Sequence, residues 1–405
     1  MKKVLAVLLA LSMVFCLAAC GGKEEEKEVE ADMNYEIRIY TNTNDESEVA
    51  WLKEHAEQAG FKISIDDNTV ISGDAQVVQT ADEAHDGDVL FGLNETRWGQ
   101  VINGTYANLK LVDWAPTWAD KVGTFKYDNK AYGVTIQDIL MLYRTDEFGT
   151  NGKELKFDHW SEMAEQGLVF YRQGKVGGTT NGNINNCMLF PYADPTSPAG
   201  GISVDGWKAL WKYCADGTFT GDSYGFDPLN QCKVQLSTFY SSSLYGSVDI
   251  AAESSEHPLT YDAAAGKPGN WALVDIKDGS YFIAEYIGVL EKEGRTEAQT
   301  EAVKKFCEWF GSTETQIGWA NEFDRYPCNT EAAAGSDLVD YAGIYSLHNM
   351  AQDEVGGMKY YEYVAAHSAE WTNIMTNLGF FWKEGTGVEP DWDNLDWATL
   401  CQAAN

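Results

Sequence analysis

The stretch YEIRIYTNTNDESEVAWLKEHAEQAGFKISI, residues 35–65, decides the fold class. It opens with alternating polar and apolar residues, which is typical of a strand with one buried face. After a polar turn, Asp45 or Ser47 can cap a helix, and Gly60 is placed to end it. Residues 61–65 then alternate again. A strand, a helix and a second strand in this order predict a parallel sheet in an α/β protein.

The rest of the chain continues this alternation. Further strands are predicted at 88–92, 132–134, 139–143, 168–172, 235–240, 271–276 and 281–290, and further helices at 157–166, 184–190, 203–215, 297–310 and from 336 onward. Two long extended runs, near 133–144 and 271–290, would explain two α/β lobes joined by crossing strands. The expected division is a first lobe from 34–136 and 271–335, a second lobe from 137–270, and C-terminal helices from 336–405 packed on the body.

The N-terminus carries the features of an export signal. Residues 1–19 are a short basic start followed by an apolar run, too short for a confident spanning helix. Cys20 follows Leu-Ala-Ala and precedes two glycines, as in the bacterial lipobox, whose cysteine thiol is lipidated; an ordinary signal peptide with a chance cysteine is the alternative. Residues 20–33 are too polar to fold and predict a disordered tether. We therefore expect an exported protein held by acyl chains at the extracytoplasmic face of the cell membrane.

The composition narrows the class of partner. The chain of 405 residues has 29 basic and 62 acidic residues, a formal net charge of -33. This surplus of negative charge opposes binding to the phosphates of nucleic acids. It also disfavours docking on anionic lipids through a basic patch. A small-molecule partner is therefore favoured over a polyanion.

Cysteine and histidine patterns give little sign of redox, metal or catalytic chemistry. Six of the eight cysteines lie beyond the lipobox, and both a disulfide and free thiols remain open for them. The six histidines show no zinc-site spacing, and the chain has no G-x-S-x-G nucleophile motif. We therefore predict a non-enzymatic protein without a cofactor or metal, with an exported hydrolase as the alternative from another class.

Polar residues near the predicted strand ends are the first candidates for ligand binding. Ligands of open α/β sheets bind outside the carboxyl ends of the strands. This rule selects residues that follow strands or lie on the crossing strands: Asn42, Asn44, Asn94, Glu95, Asp138 and Glu285. For Asp138 and Glu285 the alternative is hydrogen bonding within the hinge between the lobes.

A glycine- and threonine-rich loop predicts an anion site. Residues 177–182 read GGTTNG and precede a predicted helix. Backbone N–H groups at Gly178, hydroxyls of Thr179 and Thr180, and Asn181 could hold a phosphate, phosphonate or carboxylate at that helix N-terminus. The alternative is a turn and helix cap with no ligand. The lysine of a P-loop is missing.

Tyrosines supply candidates for the other part of the ligand. The loop 240–245 contains Tyr240, Ser242 and Tyr245, and Tyr286 lies on the second crossing strand. Their rings could stack on a flat or cationic group. Ordinary packing of these rings in the core and its rim is the alternative.

Several of these features, taken in order, resemble one family. They are the lipobox, the strand–turn–helix opening, DVLFG at 88–92, YDNKAYGV at 127–134, and a helix at 298–310 followed by STETQ at 312–316. Over residues 35–335 this order is similar to bacterial extracellular solute-binding proteins of ABC importers, in the branch that includes ferric-iron, thiamine, polyamine and phosphonate binders. The resemblance implies a two-lobed, type II periplasmic-binding-protein-like α/β fold with two hinge crossings. It also implies a monomer that delivers a small solute to ABC permease subunits.

The resemblance also bears on the solute. Ferric-iron binders of the family use an adjacent tyrosine pair in the region of 239–245, whereas Tyr240 and Tyr245 are not adjacent. The loops at 92–94 and 240–245 resemble the cleft loops of the thiamine binders. Thiamine, a phosphate-bearing organic compound or a phosphonate is therefore the expected solute. An oligosaccharide, a polyamine or ferric iron is the alternative.

Overall fold

The structure is a computed structural model that describes parts of the chain. The described residues are 29–43, 45–71, 73–144, 156–157, 170–171, 186, 188–216, 236–240, 261–262, 267–268, 271–273, 275–276, 281–338, 350, 353–379 and 388–403. Cys20, Asn44, Gly178, Thr179, Thr180, Asn181, Ser242 and Tyr245 lie outside them. The predictions for these residues therefore stay predictions.

Strands and helices alternate through the first part of the chain. The strands are β1 (Glu36–Thr41), β2 (Lys62–Ser64), β3 (Val89–Leu93), β4 (Lys126–Tyr127), β5 (Ala131–Arg144), β6 (Lys156–Phe157), β7 (Phe170–Tyr171), β8 (Leu236–Tyr240), β9 (Tyr261–Asp262), β10 (Lys267–Pro268), β11 (Trp271–Leu273), β12 (Asp275–Ile276), β13 (Tyr281–Val289), β14 (Glu354–Val355) and β15 (Met358–Lys359). The helices are α1 (Glu46–Gln58), α2 (Asp74–Ala84), α3 (Glu95–Ile102), α4 (Val204–Asp216), α5 (Glu297–Phe310), α6 (Thr313–Phe323), α7 (Thr330–Gly335), α8 (Tyr360–Leu378) and α9 (Trp397–Leu400). These elements confirm the mixed α/β prediction.

The predicted opening of the fold is confirmed. Asp45 caps α1 by accepting a hydrogen bond from the backbone N–H of Ser47 at 2.8 Å. Gly60 follows α1 with a φ of 89°, a left-handed conformation that suits glycine at a helix end. Strand β1 runs parallel to both β2 and β3, so the chain crosses over the sheet between them.

Two long strands cross the middle of a mixed sheet, whose order is β2-β1-β3-β13-β5-β8-β7. Strand β13 is antiparallel to both β3 and β5. The far part of β5 pairs with β8 and β11 instead. Because β5 extends past its pairing with β13, it links two parts of the sheet. The predicted extended run at 133–144 is one continuous strand, whereas the 271–276 run forms two short strands, β11 and β12.

One hydrophobic core surrounds the parallel part of the sheet. It includes Ile37 and Ile39 of β1, all of β3, and the inner face of α5. Large aromatic side chains fill the space between the elements, and Trp98, Trp118 and Trp319 are each at most 2% exposed. Burial of this much apolar surface is the main driving force for folding of this part of the chain.

A second core lies between α4 and α8. Trp207 and Trp371 are fully buried in it, and their indole N–H groups donate to the carbonyls of Ala199 at 2.9 Å and Gly200 at 2.7 Å. This core takes residues from 188–210 and from 350–392, so the C-terminal helix packs on a segment that precedes it by more than a hundred residues. Helix α8 also lies beside α3 of the first core. The expected residue bounds of the two lobes remain a prediction.

A buried carboxylate at the amino end of β3 contacts two other segments of the chain. Asp88 is fully buried and accepts hydrogen bonds from the Tyr35 hydroxyl at 2.8 Å and the backbone N–H of Arg38 at 2.9 Å. It also pairs with Arg295 at 3.0 Å and Lys292 at 3.1 Å. These contacts join the chain entering β1 to the loop after β13. We call this group the Asp88 node.

The described residues bear on two questions that the sequence left open, the state of the cysteines and the presence of a membrane-spanning helix. Cys307, Cys328 and Cys401 are free thiols. No helix among the described residues combines the length and the apolarity needed to cross a bilayer. For the other cysteines beyond the lipobox, both a disulfide and free thiols remain open.

Candidate ligand-binding site

Three polar residues meet where the parallel strands β1 and β3 end. Asn42 follows β1, Asn94 follows β3, and Asp74 begins α2. Asn42 Nδ2 donates to Asp74 Oδ1 at 2.5 Å, and the backbone N–H of Asn94 donates to Asp74 Oδ2 at 3.0 Å. The structure thus brings two predicted residues, Asn42 and Asn94, together through a third that sequence reasoning missed.

Gly92 allows this close approach. Its φ is 77°, and a Cβ at this position would lie 2.6 Å from Asn42 Oδ1. Any other residue would therefore combine a strained backbone with a steric overlap at the strand end. The glycine lets β3 turn toward Asn94 while Asn42 stays in contact with Asp74.

Helix termini fix the orientation of this polar group. Asn94 caps α3 and accepts a hydrogen bond from the backbone N–H of Arg97 at 3.2 Å. Burial raises the pKa of Asp74, while hydrogen bonds from Asn94 and Asn42 and the nearby charge of Arg97 lower it in part. The side chain of Asp74 is therefore held in place by neutral donors, with a cation near it. The only sequence signal for Asp74 was its position at a helix start, which the strand-end rule does not cover.

Glu285 lies beside the same edge on the crossing strand β13. Tyr286 pairs with Leu93, the last residue of β3, so Glu285 sits next to the end of β3. The β13–β5 register shifts between Glu285 and Tyr286, which marks a bulge that re-aims the side chains there. The Thr135 hydroxyl on β5 donates to Glu285 Oε2 at 2.7 Å.

The electrostatic surroundings of Glu285 are mixed. Burial raises its pKa to about 7, and the carboxylates of Asp74 and Glu48 act in the same direction. Arg325 and the hydrogen bond from Thr135 lower it in part. Near neutral pH, Glu285 therefore exchanges between its charged and its protonated form.

Arg325 connects the loop after α6 to the first turn of α1. Its Nε and Nη2 donate to Glu48 Oε1 at 2.9 and 2.7 Å. Burial disfavours the charged form of Arg325, but the charges of Glu285 and Glu48 outweigh this and raise its pKa. Residues 326–328 run along β5, where the backbone N–H of Ile136 donates to the carbonyl of Tyr326 at 2.7 Å. Sequence reasoning missed Arg325, Glu48 and Thr135.

The other predicted site residues that the structure describes lie in the core, at a helix start or on the crossing strands. The Tyr286 ring is 2% exposed and packs against Tyr127 and Trp98, so in this conformation it belongs to the core. Glu95 is the first residue of α3. Asp138 of β5 pairs with Phe282, and Tyr240 of β8 pairs with Ile139, so their backbones lie on neighbouring strands of the crossing region.

This edge of the sheet offers hydrogen-bond acceptors and charges of both signs. Its acidic side chains are Glu48, Asp74 and Glu285, and its basic ones are Arg97 and Arg325. Within the described ranges, no group of acidic, histidine or cysteine side chains has the arrangement of a metal site. Carboxylates, guanidinium groups and hydrogen-bond acceptors therefore lie together at this edge of the sheet.

A family assignment accounts for this geometry. Residues 50–344 match the family model described as bacterial extracellular solute-binding protein. The chain belongs to this family. This match confirms the resemblance inferred from the motifs of the solute-binding protein. Membership of an extracellular family also places the protein outside the cytoplasm. A search of curated proteins finds no match.

Solved structures share the fold of this solute-binding protein. The ferric iron-binding protein A of Mannheimia haemolytica, in an open conformation, is 15% identical, with a TM-score of 0.55 over 85% of this chain and 98% of that one. The Bordetella ferric binding protein is 14% identical, with a TM-score of 0.56 over 86% and 100%. A periplasmic thiamin binding protein is 14% identical, with a TM-score of 0.51 over 83% and 94%. The predicted type II periplasmic-binding-protein fold is confirmed.

Proposed function

We propose that this protein is the receptor of an ABC importer, which captures a small organic solute between two lobes and delivers it to the permease subunits. The observation that carries this proposal is the polar group of Asn42, Asp74 and Asn94 at the carboxyl edge of β1 and β3. This is where open α/β sheets bind their ligands. Glu285 and Thr135 add a hydrogen-bonded pair on the crossing strands, which link the two lobes in this proposal.

The crossing strands supply a route for closure of the two lobes. A solute that contacts both lobes only in the closed state shifts the population toward that state. Strand β5 pairs with β13 at one end and with β8 at the other, so bending along it would move the two ends relative to each other. In this proposal the lobes follow the bounds expected from the sequence.

The proposed solute has an anionic group and a flat or cationic part. The carboxylates at the described edge support the cationic part. Gly178, Thr179, Thr180 and Asn181 would receive the anionic group, and Tyr240 and Tyr245 would stack on the flat part. Relatives that share the fold are named for ferric iron and thiamin, which makes both compounds necessary probes.

We further propose that the protein acts as a lipid-anchored monomer. Cys20 would carry the diacylglyceryl and palmitoyl chains, and residues 21–33 would lift the folded body off the membrane. Metabolic labelling with a palmitate analogue tests this. Wild type should take up the label and Cys20→Ser should not; a labelled Cys20→Ser variant would contradict the anchor.

A thermal-shift panel tests the receptor function. Probes are thiamine, thiamine monophosphate, methylphosphonate, spermidine, ferric citrate and a maltooligosaccharide, each added to the mature chain. A ligand that binds only the folded state raises the Tm by mass action. At least one probe should raise the Tm, and replacing Thr179 and Thr180 with valine should abolish the shift from an anionic probe. A shift with the oligosaccharide alone would contradict the proposed solute, and no shift with any probe would contradict the receptor function.

A further inference from the structure

Three side-chain oxygens converge at the end of strand β1. A Cβ placed on Gly92 would lie 2.6 Å from Asn42 Oδ1, 3.1 Å from Thr41 Oγ1 and 3.2 Å from Thr43 Oγ1. The three oxygens therefore lie around one point, on the same face of the Gly92 backbone. Thr41 is buried, whereas Asn42 and Thr43 are partly exposed, so a molecule at this edge of the sheet can reach them.

The carboxylate of Asp74 decides which end of the Asn42 amide faces this point. An ionised carboxylate only accepts hydrogen bonds, so the Asn42 atom that contacts Asp74 Oδ1 at 2.5 Å is the amide nitrogen. The amide oxygen is thereby turned toward Gly92. It presents lone pairs there, beside the two threonine hydroxyls.

Asp74 also prevents the amide from reversing. Its second oxygen, Oδ2, accepts a hydrogen bond from the backbone N–H of Asn94 at 3.0 Å. That N–H is fixed where β3 passes into α3. Both oxygens of Asp74 thus face donors, and a reversed Asn42 would set its own oxygen against a carboxylate oxygen.

We propose that Asp74 is a positioning residue, which holds the Asn42 amide oxygen toward the solute and thereby selects a solute with an N–H or O–H donor at the end of β1. This inference rests on the proposed function and narrows the chemistry of its solute. Amines, protonated amines and hydroxyl compounds carry such donors. Quaternary ammonium groups and fully ionised oxyanions do not.

The substitution Asp74→Asn should reverse the amide of Asn42. The Asn94 N–H still needs the oxygen at position 74, so the new NH₂ group faces Asn42. Asn42 then turns its oxygen toward position 74 and its own NH₂ group toward the solute. The variant offers a donor where wild type offers an acceptor, and a donor-bearing solute loses its hydrogen bond.

Calorimetric titrations of the mature chain at pH 8 test the inference. Thiamine, putrescine and maltose are the probes with donors. Sulfate and fully N-methylated putrescine, which keeps both positive charges, are the probes without donors. The variants are Asp74→Asn, Asn42→Leu and the two combined. The control Asp205→Asn makes the same change in the first turn of α4, where the side chain is exposed.

At least one donor-bearing probe should bind wild type, and each single variant should weaken it roughly tenfold, as expected for the loss of one hydrogen bond to a polar or charged group. Because Asn42 is already reversed in Asp74→Asn, adding Asn42→Leu should cost little more. If Asp74 acted through its charge alone, the two losses would multiply. Asp205→Asn should leave the affinity unchanged.

The other outcomes separate this inference from the proposed function. The comparison of probes on wild type needs no variant, and binding of only sulfate or methylated putrescine would overturn the inference while the receptor function stands. Binding of a donor-bearing probe that Asn42→Leu does not weaken, or losses that multiply, would do the same. If none of these probes binds to folded wild type, the inference is overturned, and the thermal-shift panel decides the receptor function separately.

Discussion

At the scale of single residues, Glu285 combines a position in the proposed site with a cost in stability. Its pKa of about 7 lies above the usual 4.5 because burial disfavours the charged carboxylate. Between these two values the folded chain binds more protons at Glu285 than the unfolded chain does. The free energy of unfolding therefore falls as the pH rises from about 4.5 to 7, and the penalty is complete above that range.

Glu285→Gln should remove this pH-dependent penalty. Relative to wild type, the variant should gain stability on going from pH 4.5 to pH 8, on the order of 3 kcal/mol. Urea denaturation of both proteins at the two pH values measures the difference. Glu36→Gln, at an exposed position on β1, provides the matched control, and an equal pH response of all three proteins would contradict the assigned environment.

Gly92 gives a second test at this scale. Gly92→Ala should destabilise the protein by about 2 kcal/mol, because it adds both a strained φ and an overlap with Asn42. Gly104 is the control, since its φ is 81° but a Cβ there meets nothing within 4 Å. Thermal denaturation should show a clearly smaller loss for Gly104→Ala. Equal losses would mean that the contact with Asn42 contributes nothing beyond backbone strain.

At the scale of secondary structure, one ion pair joins Arg325, in the loop after α6, to Glu48 in helix α1. Glu48 has a side chain only 6% exposed, so removing its partner leaves a poorly solvated charge. Arg325→Met should cost about 3 kcal/mol of stability. Adding Glu48→Gln to Arg325→Met should recover part of the loss, because no unpaired carboxylate then remains buried.

An exposed pair provides the comparison. Lys121 and Glu331 lie 2.6 Å apart, with side chains 34% and 59% exposed. Lys121→Met should cost no more than about 1 kcal/mol, since water screens such a pair. Guanidinium denaturation of the four proteins gives the energies. A double variant no more stable than Arg325→Met alone would show that the charge of Glu48 is solvated without Arg325.

Elements with strong local signals were predictable from the sequence, and contacts between distant elements were not. The alternation in residues 35–65 and the Asp45 cap identified β1, α1 and β2. The strand-end rule selected Asn42 and Asn94, which lie at the same edge of the sheet and both contact Asp74. The pair of Glu48 and Arg325 spans 277 residues, and no local pattern indicates a contact at that distance.

The rings show why burial is difficult to predict for aromatic residues. Tyr286 was a stacking candidate because of its strand, yet the bulge at Glu285 leaves its ring packed on Trp98. A tyrosine on an alternating strand can face either side, and one shifted residue reverses the faces. The sequence therefore indicated the strand correctly, and the direction of its side chains came from the register.

At the scale of the whole molecule, the Asp88 node holds the amino end of the sheet together. Asp88→Asn would leave Arg295 and Lys292 without their carboxylate partner, and the Arg295 side chain is only 2% exposed. The variant should lose about 3 kcal/mol or more in stability and become more sensitive to proteolysis within residues 29–35. Asp120→Asn is the control, because the Asp120 side chain is fully exposed. Identical digestion of wild type and Asp88→Asn would contradict this role.

The Asp88 node and the candidate site lie at opposite ends of the strands β1 and β3. It fastens the incoming chain at the start of β1, through Tyr35, while Asn42 and Asn94 lie at the other end of the same short strands. Six strand residues rise about 20 Å. If Cys20 bears the proposed lipid, the anchored end of the chain enters β1 at the end of the strand opposite to the candidate site.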